Sequence, residues 1–109
     1  MSLINLTPHP SVIGTVTVPP SGTVARVNVT REQVGVIHMG DDSTVPMFET
    51  RYGEVSGLPL PEDGKVFIVS AMVRTHPSLS DRLDVASPGQ LVRDDAGRVV
   101  GCDGLDFNG

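Results

Sequence analysis

The chain has 109 residues, 39% apolar and 19% charged, a balance that reads as one globular domain and excludes a wholly disordered chain. The formal net charge of −5 argues against a general duplex-binding surface, because neutralising phosphates needs a basic patch. Cys102 is the single cysteine, which excludes a disulfide framework and a CxxC metal knuckle, and no apolar run approaches the ~20 residues of a membrane helix.

Twelve Gly and nine Pro predict frequent tight turns and short strands. The opening "MSLINLTPHP" has no basic start and reaches proline early, so no secretory signal is expected and a cytoplasmic location follows. "SVIGTVTV" (11–18) and "TVARVNV" (23–29) are rich in β-branched residues and flank "PPSG" (19–22), a hairpin signal. In 23–29, Ala25, Val27 and Val29 share one face, and Val24, Arg26 and Asn28 the other, which predicts a half-solvated strand. "QVGVIHM" (33–39), stopped by "GDDS" (40–43), is a third strand. "TVPMFET" (44–50) is a fourth, with Pro46 pushing it towards an edge.

"RYGEVSGLPLPEDG" (51–64) reads as irregular. "KVFIVSAMV" (65–73) is nearly continuously apolar and is expected to be a central strand covered on both faces. "PSLSDRL" (77–83) suits one helical turn, with Ser78 as cap and Asp81 at the capping-box position. "QLVRDDAGRVVG" (90–101) predicts a second hairpin across "DDAG", with Gly97 in the left-handed conformation. Residues 103–109 are expected to form a flexible acidic tail. Turn signals at 19–22, 40–43, 61–64 and 94–97 point to a single mainly β domain over 1–109. The expected form is a compact small barrel or sandwich of short antiparallel strands with at most one or two helical turns.

Among the polar constellations, a Ser–His–acid triad has its residue types in Ser70, Ser78, Ser80, His76, Asp81 and Asp84, but no G-x-S-x-G elbow is present and no catalytic residue is assigned. His9, His38, His76 and Cys102 show no ligand spacing, so neither a metal site nor a cofactor is expected. One lysine, Lys65, stands against seven arginines, whose planar forks suit phosphate or carboxylate. The densest polar stretch is "RTHPSLSDRLD" (74–84), directly after the most apolar run. It predicts a pocket closed at a strand end, with Arg82 reaching a ligand and Asp84 orienting it. An internal Arg82 ion pair is the alternative. "LTPHP" (6–10) is a second polar knot, stiffened by prolines around Thr7 and His9.

Three pieces, "INLTPHP", "RYGEVSGLP" and "VFIVSAMV…HPSLSDRLDVASPG…VRDDAGRVVG", together resemble a family of short, uncharacterised proteins encoded by bacteriophages, prophages and actinobacterial genomes. The resemblance covers nearly the whole chain except 30–50, which looks idiosyncratic. It places Thr7, His9, Arg26, Arg51, Tyr52, Ser70, Arg82, Asp84 and Arg93 on polar motif positions. A phage setting implies action by binding in the host cytoplasm. The expected function is non-enzymatic sequestration of a small anionic, nucleotide-like ligand such as a host-defence signal, lined by His9, Arg51, Ser70, Arg82 and Asp84. The alternative is a protein–protein module, a host-factor inhibitor or virion accessory protein. A small hydrolase ranks last. The expected partners are that ligand, a host protein or further copies of the chain, with neither duplex nucleic acid nor membrane.

Overall fold

The computed structural model describes residues 1–108. In chain order its elements are β1 (Ser2–Asn5), β2 (Ser11–Ile13), β3 (Val16–Val18), β4 (Arg26–His38), β5 (Thr44–Ser56) and β6 (Lys65–Ile68). A short helix α1 (Ala71–Arg74) and a 3-10 turn (Pro77–Leu79) follow, then β7 (Val85–Pro88), β8 (Leu91–Arg93), β9 (Val99–Cys102) and β10 (Leu105–Phe107). The protein is mainly β, and its helical content is confined to the two turns after β6.

The strands form three open sheets, ordered β1-β6-β7-β10, β3-β2-β9-β8 and β4-β5. None closes into a barrel, and the pairing is mixed, which corrects the expectation of short antiparallel strands throughout. β1, β6 and β7 run parallel, as do β2 and β9, while the remaining pairs are antiparallel. β6 and β7 can run parallel because 69–84, with α1 and the 3-10 turn, carries the chain back across the sheet, the long crossover that a parallel pair needs.

β6 is the central strand, as its apolar run predicts. Val66, Phe67, Ile68 and Val69 are all buried between β1 and β7. The strand is shorter than expected. Ser70 stops it, accepting the Val73 N–H through Oγ at 3.3 Å as the N-cap of α1. Ala, Met and Arg then favour helix over strand. The core gathers Leu6, Ala25, Phe67, Val69, Val73, Leu79 and Val85.

The segment read as two strand candidates before residue 40 is one continuous 13-residue strand, β4, paired along its length with the 13-residue β5. Val27 and Val55 at its root pack on the core. Beyond them the ribbon projects from the body, and the molecule extends 60 × 39 × 27 Å instead of being compact. Gly57 turns the chain off β5 at φ +82°, where a Cβ would overlap the Val24 carbonyl.

"PPSG" does not make the first hairpin. β2 and β3 turn tightly at Gly14 within 11–18. The β8–β9 hairpin forms across "DDAG" as predicted, with Gly97 at φ +80°. The expected fraying of 103–109 also differs from the structure. β10 pairs with β7, and Asn108 Nδ2 donates to the carbonyls of Arg74 (3.1 Å) and Leu79 (2.9 Å). Gly109 lies outside the described residues.

Candidate functional site

The two polar knots were expected to hold ligand, and each has an internal structural role. In the first, Asn5 is 1% exposed at the end of β1. Its Nδ2 donates to the carbonyls of His9 (2.8 Å) and Val18 (3.0 Å), and its Oδ1 accepts from Thr7 N–H (2.9 Å) and Thr7 Oγ–H (2.6 Å). A buried amide is tolerable only when its donors and acceptor are all matched, as here. The knot fixes "TPHP" and ties β1 to β3. It leaves the His9 ring exposed at a cleft of about 390 Å³, which Ser70, Pro88, Leu91 and Cys102 also line. Beside it a smaller depression of about 300 Å³ is bordered by Thr7, Arg26, Ser70 and Met72.

The second knot is "RTHPSLSDRLD". Arg74 Nε donates to the fully buried Ser87 Oγ at 2.6 Å, and its Nη1 to Asn108 Oδ1 at 3.2 Å. His76 caps the 3-10 turn, its Nδ1 accepting the Ser78 N–H at 3.2 Å. With Nδ1 an acceptor, Nε2 carries the proton and donates to the Gly53 carbonyl on β5 at 2.8 Å. Arg82 grips Asp84 with both prongs, Nε to Oδ1 at 2.8 Å and Nη2 to Oδ2 at 2.9 Å, and Nη2 also donates to the Pro59 carbonyl at 3.0 Å. The paired guanidinium holds the Asp84 carboxyl below its ordinary range. The loop thus fastens the β4–β5 root, the segment before β6 and the C-terminal strand to one another.

Of the expected ligand contacts, His9 and Ser70 share a cleft and the others do not join them. Arg82 and Asp84 satisfy each other, in the internal pair weighed as the alternative. Arg51 is exposed on β5, where among the described residues its carboxylate partner is Glu49 at 3.4 Å. Arg93 donates to the Gly97 carbonyl within its own hairpin at 2.9 Å. Buried Cys102 packs its thiol against the Val12 carbonyl at 3.6 Å. Among the described residues no three His, Cys, Asp or Glu side chains gather where they could hold a metal ion, and no helix is long and apolar enough to cross a membrane.

The feature the site residues missed is the projecting ribbon. Nine of the nineteen exposed large apolar side chains fall between Val29 and Tyr52, each 40–62% exposed. They occupy both faces. Val36 and Phe48 lie on one, Ile37, Val45 and Met47 on the other. At the root, Val27, Tyr52, Met72, Thr75, His76 and Pro77 bound a notch of about 600 Å³ between ribbon and body. The available signal was "VGVIHM…TVPMF", two β-branched runs nearly symmetric about "GDDS". Compared with known proteins, the chain matches no family model, no curated protein and no solved structure.

Proposed function

We propose that this chain is a phage-type, non-enzymatic protein–protein interaction module working in the host cytoplasm, which engages its partner through the β4–β5 arm. The observation that carries this is the arm's apolar surface on both faces beyond a well-packed body. A two-stranded ribbon alone is at best marginal in water. Exposed apolar patches on this scale mark interaction surfaces, and two unpaired strand edges add to the need for cover. The body is read as an open sandwich of the two four-stranded sheets that holds the arm's root. The expected result is association of the wild type, with itself or with a protein captured from infected-cell lysate. Ile37→Ser with Val45→Ser should abolish it while leaving far-UV circular dichroism and the melting of the body unchanged. A wild type that associates with nothing, or a variant that associates as well, removes this function.

The cleft where His9 and Ser70 meet supports a second reading, sequestration of a small anionic, nucleotide-like ligand. Arg26, beside Ser70 in the adjoining depression, is then the phosphate contact in place of Arg51 and Arg82. A thermal-shift screen with mono-, di- and cyclic nucleotides and ADP-ribose-type compounds tests it. A ligand at a hundred times its dissociation constant stabilises the fold by about 2.7 kcal/mol. Arg26→Ala should erase the shift. If no compound moves the wild type, this second reading fails and the first is untouched.

A further inference from the structure

The arm's pattern says what covers it. From Thr44 to Tyr52, β5 alternates without a bulge. Pro46, Phe48 and Thr50 therefore share a first face, and Val45, Met47, Glu49 and Arg51 a second. On β4, Arg31 lies on the first face, its guanidinium 3.6 Å above the Phe48 ring centroid. Glu32 lies on the second face, directly across from Glu49. Like charges at such a pair are unfavourable. Arg51 relieves Glu49 only. Among the described residues Arg31 has no carboxylate partner and Glu32 no cation.

A parallel stack that lays the first face of one arm on the second face of the next, in step, supplies what each lacks. Arg31 comes level with Glu32 and Glu49. Phe48 comes level with Met47, a favourable sulfur–aromatic meeting. Val36 and Pro46 come level with Ile37 and Val45. Each arm makes two contacts, one through each face, and its area is divided between them. Fully burying a side chain of this kind removes roughly 60–120 Å² from water. Nine that are about half exposed therefore offer on the order of 450 Å² of apolar surface per chain. Each contact therefore takes on the order of 225 Å² of it per partner, about half the apolar share of a standard interface of about 800 Å² per partner, and each chain makes two such contacts.

We infer that the arm's partner is further copies of this same chain, the arms stacking first face to second face around a closed ring of which a trimer is the smallest. This rests on the arm being the interaction surface, as proposed above. Contacts between two different faces are heterologous, and they end in a closed assembly only as a ring.

The test is native mass spectrometry and light scattering of the full chain across a concentration series, with circular dichroism confirming that each variant keeps its strand content. The wild type should give one closed species of three or more copies. Arg31→Glu alone and Glu32→Arg alone should each weaken assembly by about tenfold or more, since juxtaposed like charges oppose docking. The double exchange Arg31→Glu with Glu32→Arg should assemble better than either single variant but short of wild type, because Glu49 then faces a like charge. A species of two copies, or a double exchange no better than the single variants, overturns the ring. A monomer at every concentration also overturns it, and amide exchange then separates the two proposals. Fast exchange over 29–52, slowed by a different captured protein, leaves the arm as an interface for that protein. Slow exchange in the lone monomer means the arm needs no cover, and the interaction reading falls as well.

Discussion

Removing the Arg82 guanidinium tests whether the polar density of 74–84 is structural. Arg82→Ala deletes two charge-assisted bonds to Asp84 and one to the Pro59 carbonyl. Both side chains are 19% exposed, between the limits of a solvated and a buried pair. A surface pair contributes roughly 0–1 kcal/mol, and breaking a buried one costs about 3–5 kcal/mol. The expected loss is about 2–3 kcal/mol, since Asp84 and a backbone carbonyl lose their partners and the Asp84 carbonyl also accepts from the Phe67 N–H of the central strand at 2.8 Å. For a domain of this size that lowers Tm by about 4 °C per kcal/mol, so by about 8–12 °C.

The pH dependence has a definite sign. Asp84 titrates lower in the folded chain than its ordinary value of 3.8, so the pair's contribution is fully present above that value and disappears as pH falls through the lowered one. The gap between wild type and Arg82→Ala in urea melts should be constant near neutrality and shrink only in acid below pH ~4. A loss under about 0.5 kcal/mol at neutral pH, the size expected for a solvated pair, would refute a structural role for this loop.

Three further outcomes follow from the body. Ile68→Ala, at a fully buried position of the central strand, should cost on the order of 2–5 kcal/mol in chemical denaturation; a loss under half a kcal/mol would place the strand at the periphery. Asn5→Ala strands the carbonyls of His9 and Val18 and should cost about 2–3 kcal/mol. Equal stability to wild type would mean that water replaces the amide without penalty. Ser70→Ala should cost about 1 kcal/mol through the lost cap, read as a Tm decrease of a few degrees, and an unchanged melt would show that α1 does not depend on it.

The parts legible in the sequence were those set by local chemistry. Continuous apolarity marked β6, and "DDAG" with Gly97 marked the last hairpin, because a buried run and a left-handed turn each leave a short-range trace. Pairing left no such trace. Nothing local says that β1 meets β6, or that Phe107, half exposed in an acidic context, lies in a strand beside Ala86. "REQ" broke the apolar alternation, so β4 read as two strands, although polar residues are what a ribbon clear of the body carries midway along its length. At the site, the sequence identified the residues able to bond but not with whom. Arg82 and Asp84 were expected to face a ligand and face each other, while His9 and Ser70, far apart in sequence, do reach one cleft.

The late position of β9 and β10 in the sheets bears on how the molecule is made. β9 completes the sheet begun by β2, where Ile13 meets Cys102, and β10 closes the edge of β7. Neither four-stranded sheet can finish until residues 99–107 have left the ribosome. The arm, by contrast, pairs residues close in sequence, and all of it emerges before β6 to β10. A nascent chain therefore displays these exposed apolar side chains while its scaffold is still unfinished, which raises the risk of premature clustering at high expression.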